Sequence, residues 1–471
     1  PGRYDLTVPL VRRLAPDCQT TVVLKLNGAG SSVSRLAITA TVNGTALLQK
    51  LSYPGTTREL TLPLGESVPS TVQVSVDGFG CRSCLLRQGT AMLPLHTYGR
   101  HDLNVELSPL SQPQCPPLSG RLLQSRYAHS AVLLESGPYA GQVLILAGDR
   151  NPPLKSVERY DPRTGAINAA GALLVDRYGH TATLLTHGAD RGRILVTGGY
   201  NGQWLSEVEI YDPGTGLART AASLSLPRFG HTATPLADGR VVVIGGHSDQ
   251  GAYREVEIYD PLTGQWTPAD AAPFTEYQHT ATLLADGRIL VAGGLLQSSA
   301  TVASAAVFDP SARPGAQWVT AGSLASARNA HSASLLPNGQ VLIAGGYGSL
   351  NQNLASAELF DPSTLLWRPA GMLAKPRTNH GAVMLSNGRL FMSGGANYYL
   401  DQFTASGELY DWTNGGNLPF IPLSLGRAIH TATLLPDDGV LLVAGLAIPA
   451  GGGTTTTTDS IELVFPLACS L

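Results

Sequence analysis

The chain has 471 residues, with 31 Lys and Arg against 34 Asp and Glu, a net charge of −3 and only 14% charged residues. A surface so close to neutral offers no basic footprint for nucleic acid or an anionic membrane, and no apolar run reaches the length of a membrane-spanning helix. The 53 Gly and 32 Pro are many, yet below the disordered range and in keeping with a turn-rich all-β chain.

Residues 1–112 alternate in short runs: Tyr4–Val11, Thr20–Leu26, Ser34–Val42, Ala46–Tyr53, Arg58–Leu62, Thr71–Val76, Leu85–Leu93 and Asp102–Leu107. Turn pairs separate them, among them Asn27-Gly28, Asn43-Gly44, Pro54-Gly55 and Asp77-Gly78. About eight strands at this spacing predict a β-sandwich, and the architecture resembles immunoglobulin and fibronectin type III domains. Cys81-Arg-Ser-Cys84 has no second Cys or His pair nearby to complete a metal site, and no βαβ setting for a redox pair. The reading preferred is that Cys18 bonds Cys81 or Cys84 and staples the sandwich, leaving one cysteine free or linked to another chain.

From residue 113 onward the chain repeats itself. A histidine opens each copy, at His129, His180, His231, His279, His331, His380 and His430, so the period is about 50 residues. Each copy predicts four strands. His-Thr-Ala-Thr-Leu-Leu forms the first, and a tight turn such as Asp238-Gly239 or Asn338-Gly339 follows. An apolar run such as Arg288–Ala292 then suits a strand buried on both faces and ends in Gly-Gly. Glu-Val-Glu-Ile-Tyr forms the third strand and stops at an Asp-Pro-x-Thr-Gly turn, whose Asp (161, 212, 260, 309, 361) caps the turn rather than catalysing. The fourth strand carries Trp266, Trp318 or Trp367 in the clearest copies.

The Gly-Gly pair, the Tyr-Asp-Pro about fourteen residues later and the following Trp resemble the kelch repeat. The resemblance covers roughly residues 116–471 and implies a seven-bladed β-propeller after the sandwich, the pairing of modules being similar to that of bacterial surface lipoproteins. It implies no single function.

Counting places the seam of the ring. The Trp position falls seven residues after the aromatic of the third strand; from Phe465 that is beyond Leu471, so the last blade lacks an outer strand. The same position falls ten residues before the next Arg, and ten before Arg126 is Pro116. Gln114–Leu118 is thus expected to complete the seventh blade, with Cys115 bonded to Cys469. Closing so long a loop stabilises by roughly 4–5 kcal/mol in the chain-entropy model. Five cysteines, none within residues 116–468, suit a secreted protein clamped at its ends. With Pro1 and no initiator Met at the start, the expectation is an extracellular or outer-surface location, with a removed signal and lipid attachment as one means of anchoring.

Arg lies three residues ahead of the histidine in six copies (Arg126, Arg177, Arg228, Arg328, Arg377, Arg427), and Glu276 replaces it in the fourth. Seven imidazoles could ring a funnel around an anion or metal. A residue that recurs in every blade, however, does what every blade needs, so the seven histidines are read as structural. Asp149 is read as replacing the second Gly of the first copy. Galactose-oxidase-type enzymes share the kelch propeller but join a Tyr to a propeller Cys, and this chain has none between Cys115 and Cys469. The sialidase turn motif and the usual nucleophile, phosphate and metal motifs are absent too. The chain is read as no enzyme, with no cofactor and no metal.

Loops on a rigid scaffold remain. Those between the second and third strands are rich in aromatics and amides: Tyr200–Trp204, His247–Tyr253, Tyr347–Asn353 and Asn397–Phe403, with a flexible Gly/Thr run in the seventh copy. The candidate binding residues are Tyr200, Trp204, His247, Tyr253, Tyr347, Tyr398, Tyr399 and Phe403. The expected function is a secreted or surface-attached binding or scaffold protein whose loop rim recognises a protein or glycan. The alternatives are a decorating subunit of an extracellular assembly and a propeller enzyme of another type.

Overall fold

The computed structural model describes residues 119–466 except 275, 398–401, 414–415, 418–419 and 449–453; before residue 119 it describes strands and their pairing. The chain divides into two units, Pro1–Pro117 with Leu467–Leu471, and Leu118–Pro466.

In the first unit, Gln19–Asn27 pairs with Asp5–Thr7, Leu10–Arg12 and Arg58–Pro63. A five-stranded sheet runs Thr45–Ser52, Arg35–Val42, Thr71–Phe79, Leu85–Pro94, Ser108–Gln114. The run expected as one strand at Tyr4–Val11 is two, and the last strand follows the expected Asp102–Leu107, which lies outside the described residues. Stacking of the two sheets into the expected sandwich also lies outside them, as do Cys18, Cys81, Cys84, Cys115 and Cys469.

The second unit is a seven-bladed β-propeller. The third blade shows the plan: Thr232–Pro235, Val241–Ile244, Val256–Asp260 and Gln265–Pro268 pair antiparallel in chain order. The apolar second strands are buried along their whole length, Val241 to Ile244 at 1% exposure or less, because both blade faces are covered. The core therefore lies between blades: Val132, Leu144 and Val157 of the first pack on Ile194, Val196 and Tyr211 of the second. First strands neighbour one another around the axis, and that of the first blade, Ser130–Leu133, touches both its successor and Thr431–Leu434 of the seventh.

Where the fourth strand carries Trp, the indole packs 5.0–5.1 Å from the third-strand aromatic (Tyr259, Phe308, Phe360). It also donates across to the preceding blade: Trp266 Nε1 to Ala222 O, Trp318 to Asp270 O and Trp367 to Ala321 O, at 2.7–2.8 Å. Outer strands are thus tied between blades as well as within them.

The ring closes as expected in kind but not in position. Ser119–Arg121 pairs with Ser460–Val464, matching Ser119 to Glu462 and Arg121 to Ser460. Gln114, placed in the seam by counting, instead pairs with Leu85 in the first unit. Counting from Phe465 also misplaced the register, since Val464 pairs with Val440 as Tyr259 does with Val241. Pro116 and Pro117 have no N–H to give to a ladder, which favours pairing beyond them. The first-blade assignment changes as well. Ala147 (φ 52°) stands where Gly198 (φ 60°) does, and Gly148 (φ 104°) matches Gly199 (φ 106°). The first glycine is the one replaced, and Asp149 takes the place of Tyr200.

Before each ring histidine the backbone turns left-handed: at Gly179 and Gly230, and at Ala128, Gln278, Ala330, Asn379 and Ile429 with φ of 48–54°. The turn sends N–H groups to the preceding blade, as in Gly179 N to Ala128 O (3.0 Å) and Ile429 N to Asn379 O (3.1 Å). Such a bond offsets a left-handed cost of about 1–2 kcal/mol for a residue with Cβ.

Candidate functional site: an aromatic rim above buried ion-pair staples

The repeated Arg does not face solvent. Six Arg–Glu pairs lie buried, one in each blade except the fourth: Arg126–Glu158, Arg177–Glu209, Arg228–Glu257, Arg328–Glu358, Arg377–Glu408 and Arg427–Glu462. In the third blade Arg228 Nη1 donates to Gly245 O (2.9 Å) and Glu255 O (3.1 Å), while Nη2 meets Glu257 at 2.7 Å. The other carboxylate oxygen of Glu257 accepts from Ser225 N at 3.0 Å. One ion pair thus pins the end of the second strand, the start of the third and the segment entering the blade. Burying the charges is tolerable because each guanidinium also donates to a backbone carbonyl and each carboxylate also accepts from a backbone N–H.

The histidines bridge first strands. His279 Nε2 meets Thr232 Oγ1 at 3.0 Å, His331 meets Thr280 at 3.0 Å, His380 meets Ser332 Oγ at 2.9 Å and His129 meets Thr431 at 2.9 Å, each reaching the preceding blade. His231 bonds Thr181 and Thr197, and His430 bonds Ser393. His180 has no such partner, because Ser130 turns its hydroxyl to the His180 carbonyl. Burial lowers their pKa values, to about 3 for His180, His331 and His380 and about 4 for His279, so the rings are neutral. The Gly-Gly pair belongs to this seam. A Cβ on Gly198 would lie 2.5 Å from Arg228 O and 2.8 Å from His231 Cε1.

The fourth blade departs from the pattern in three places at once. Glu276 replaces Arg, Ala306 stands where the partner Glu lies elsewhere, and Pro273 stands where Ser225 N–H serves Glu257 in the third blade. Glu276 is 2% exposed and bonds Ser304 Oγ through Oε1, and Oε2 has no partner. Burial pushes its carboxyl up to about 8.

Above the staples lies the loop rim. The residue after each Arg (Glu in the fourth blade) bridges the residue after each Gly-Gly: Tyr127 with Asp149, Tyr178 with Tyr200, Phe229 with His247, Tyr277 with Leu295. This brings aromatic rings from four blades into one band. Ring centroids are 6.3 Å apart for Tyr127–Tyr178, 5.6 Å for Tyr178–Phe229, 5.5 Å for Phe229–His247 and 4.0 Å for His247–Tyr277. Tyr200 and Trp204 stand 4.8 Å apart and join it, Trp204 lying 4.9 Å from His247. All these rings are half-buried, so one side meets solvent. Tyr127 donates to Asp149 Oδ2 at 2.9 Å, and burial with that bond pushes its phenol up to about 12. In the fifth to seventh blades the residue after Arg is Asn329, Thr378 or Ala428, so the band is one-sided.

Of the residues singled out by sequence, Tyr200, Trp204 and His247 lie in the band. Tyr253 does not reach the surface: at 8% exposure it bonds Ser248 and stacks 5.8 Å from the Arg228 guanidinium. Tyr347 and Phe403 are half-buried in the fifth and sixth blades, where Tyr347 pairs with Asn329 and Phe403 with Ala396. Tyr398 and Tyr399 lie outside the described residues. Sequence reasoning missed Tyr127, Tyr178, Phe229 and Tyr277; the aromatic following the repeated Arg or its Glu replacement was the available signal.

Among the described residues no group of three or more His, Cys, Asp or Glu side chains is placed to hold a metal ion. No described helix is long and apolar enough to cross a membrane.

Fold and motif together define a β-propeller of kelch repeats. The KLHDC2/KLHL20/DRC7 Kelch-repeats domain matches residues 230–445 and the Kelch motif matches residues 183–217. The chain belongs to the kelch-repeat propellers. No curated relative matches it. One solved structure, described as a novel fungal alcohol oxidase with catalytic diversity among the AA5 family, in complex with copper, is similar with a TM-score of 0.57. It is 17% identical, over 73% of this chain and 75% of that one. The structure of YjhT gives a TM-score of 0.46 at 17% identity, over 62% of this chain and 98% of its own. At 17% identity the likeness to the oxidase structure concerns the fold.

Proposed function

We propose that the propeller is a non-enzymatic binding module, carried on a secreted or surface-exposed protein, which recognises a protein or glycan through the loop rim of its first four blades. The observation that carries this reading is the one-sided band from Tyr127 through Tyr178, Phe229, Trp204 and His247 to Tyr277. Repeated groups serve the ring and are buried; this band breaks the sevenfold repetition and keeps a face to solvent. Tyr and Trp give large contact area at small cost in side-chain entropy, and their polar tips add hydrogen bonds. A kelch propeller suits binding or scaffolding in general, and the absence of a Cys between Cys115 and Cys469 argues against a Tyr–Cys radical cofactor.

The test is capture on immobilised propeller, with a glycan array and extracellular protein fractions as probes. Tyr178→Ala combined with Trp204→Ala should lower capture at least tenfold while a cooperative melting transition is kept. Undiminished capture by that variant would move the site to another face.

A further inference from the structure

The search leads to the fourth blade. In the third and fifth blades the Arg guanidinium fills a buried site bounded by the carbonyl of the first Gly and the carbonyl at the start of the third strand. These are Gly245 O and Glu255 O for Arg228, and Gly345 O (2.7 Å) and Ser356 O (3.0 Å) for Arg328. The corresponding carbonyls of the fourth blade are Gly293 O and Ser304 O. They receive no guanidinium, because Glu276 has no N–H to give. Its carboxyl takes the guanidinium's place: Ser304 Oγ bonds Glu276 as Ser356 Oγ bonds Arg328.

Two further changes fit this one. Ala306 removes the partner carboxylate, so Glu276 meets no second anion. Pro273 removes the N–H that such a carboxylate would have received. Both Glu276 and Ala306 are shorter than the residues they replace. The fourth blade thus keeps the two carbonyls without their guanidinium, and Glu276 Oε2 is buried and unpartnered. An isolated carboxylate in such a place is costly unless its charge is neutralised.

We propose that a monovalent alkali cation of sodium size occupies this site, bound by Glu276 Oε2 with the carbonyls of Gly293 and Ser304 and completed by water. Hard cations take carboxylate, carbonyl and water oxygens of this kind. Charge balance selects a monovalent ion. The other blades bury one positive and one negative charge, and a single positive ion on Glu276 reproduces that neutrality where a divalent ion would leave a net charge in the core. The ion thus does for the fourth blade what the guanidinium does for the others.

The test compares thermal unfolding of the full chain in sodium chloride and in N-methylglucamine chloride at equal ionic strength. A ligand that binds only the folded state raises the melting temperature in a saturable manner. The wild type should melt a few degrees higher in sodium, with saturation. The difference should vanish in Glu276→Gln and in the double variant Glu276→Arg with Ala306→Glu, which rebuilds the repeated pair. Equal melting of the wild type in both salts would overturn the proposal. So would a sodium effect that persists in both variants, or a rise given by calcium and not by sodium.

Discussion

Each buried Arg–Glu pair is a balanced unit, and removing one partner should cost more than removing both. Arg228→Glu alone sets two carboxylates together inside the third blade and should destabilise by at least about 3–5 kcal/mol in urea titration. Adding Glu257→Ala copies the fourth blade's arrangement and should restore a large part of that loss. The titrating groups make opposite demands on pH. The ring histidines have folded pKa values below 6.5, so their contribution is complete above pH 6.5 and is lost as pH falls toward about 3–4. Denaturant titrations should show lower stability at pH 5 than at pH 7, with a shallower slope in His331→Gln. Glu276 is raised from 4.5 to about 8, so the folded state holds its proton more tightly. In alkali-free buffer its contribution should weaken as pH rises from 4.5 to about 8, and Glu276→Gln should remove that trend.

At the scale of the strand, the seam of the ring is the element to perturb. A propeller beginning at Leu118 keeps Ser119–Arg121 on the edge of the seventh blade, whereas one beginning at Leu122 leaves the outer edge of Ser460–Val464 unpaired. The longer form should stay monomeric, and the shorter should associate through the exposed edge, as light scattering would show. Strands were the most legible part of this chain, because a pattern repeated seven times averages out local ambiguity. The seam was less so: its counting rule used Phe465, but the ladder puts Val464 at the aromatic position. The rim was half legible. Loop aromatics such as Trp204 stand out, but Tyr178 joins Tyr200 only through a bridge between the blade entry and the end of the second strand. Tyr253 misled because a loop position says nothing about an Arg beneath it.

For the molecule as a whole, repetition and its breakdown carry different information. Ion pairs in six blades, hydroxyl-bonded histidines in six and Trp bridges at three junctions recur from blade to blade. The aromatic band and the lone carboxyl of the fourth blade are what make the blades differ. The seam adds a property of its own. Ser119 lies opposite Glu462 and Arg121 opposite Ser460, so the start of Ser119–Arg121 and the finish of Ser460–Val464 sit at the same end of that antiparallel pair. Force pulling those segments apart peels the pair open one hydrogen bond at a time instead of shearing all of them at once. A pulling experiment on the propeller should therefore record a first rupture at low load at the seam, before stepwise release of the other sheets.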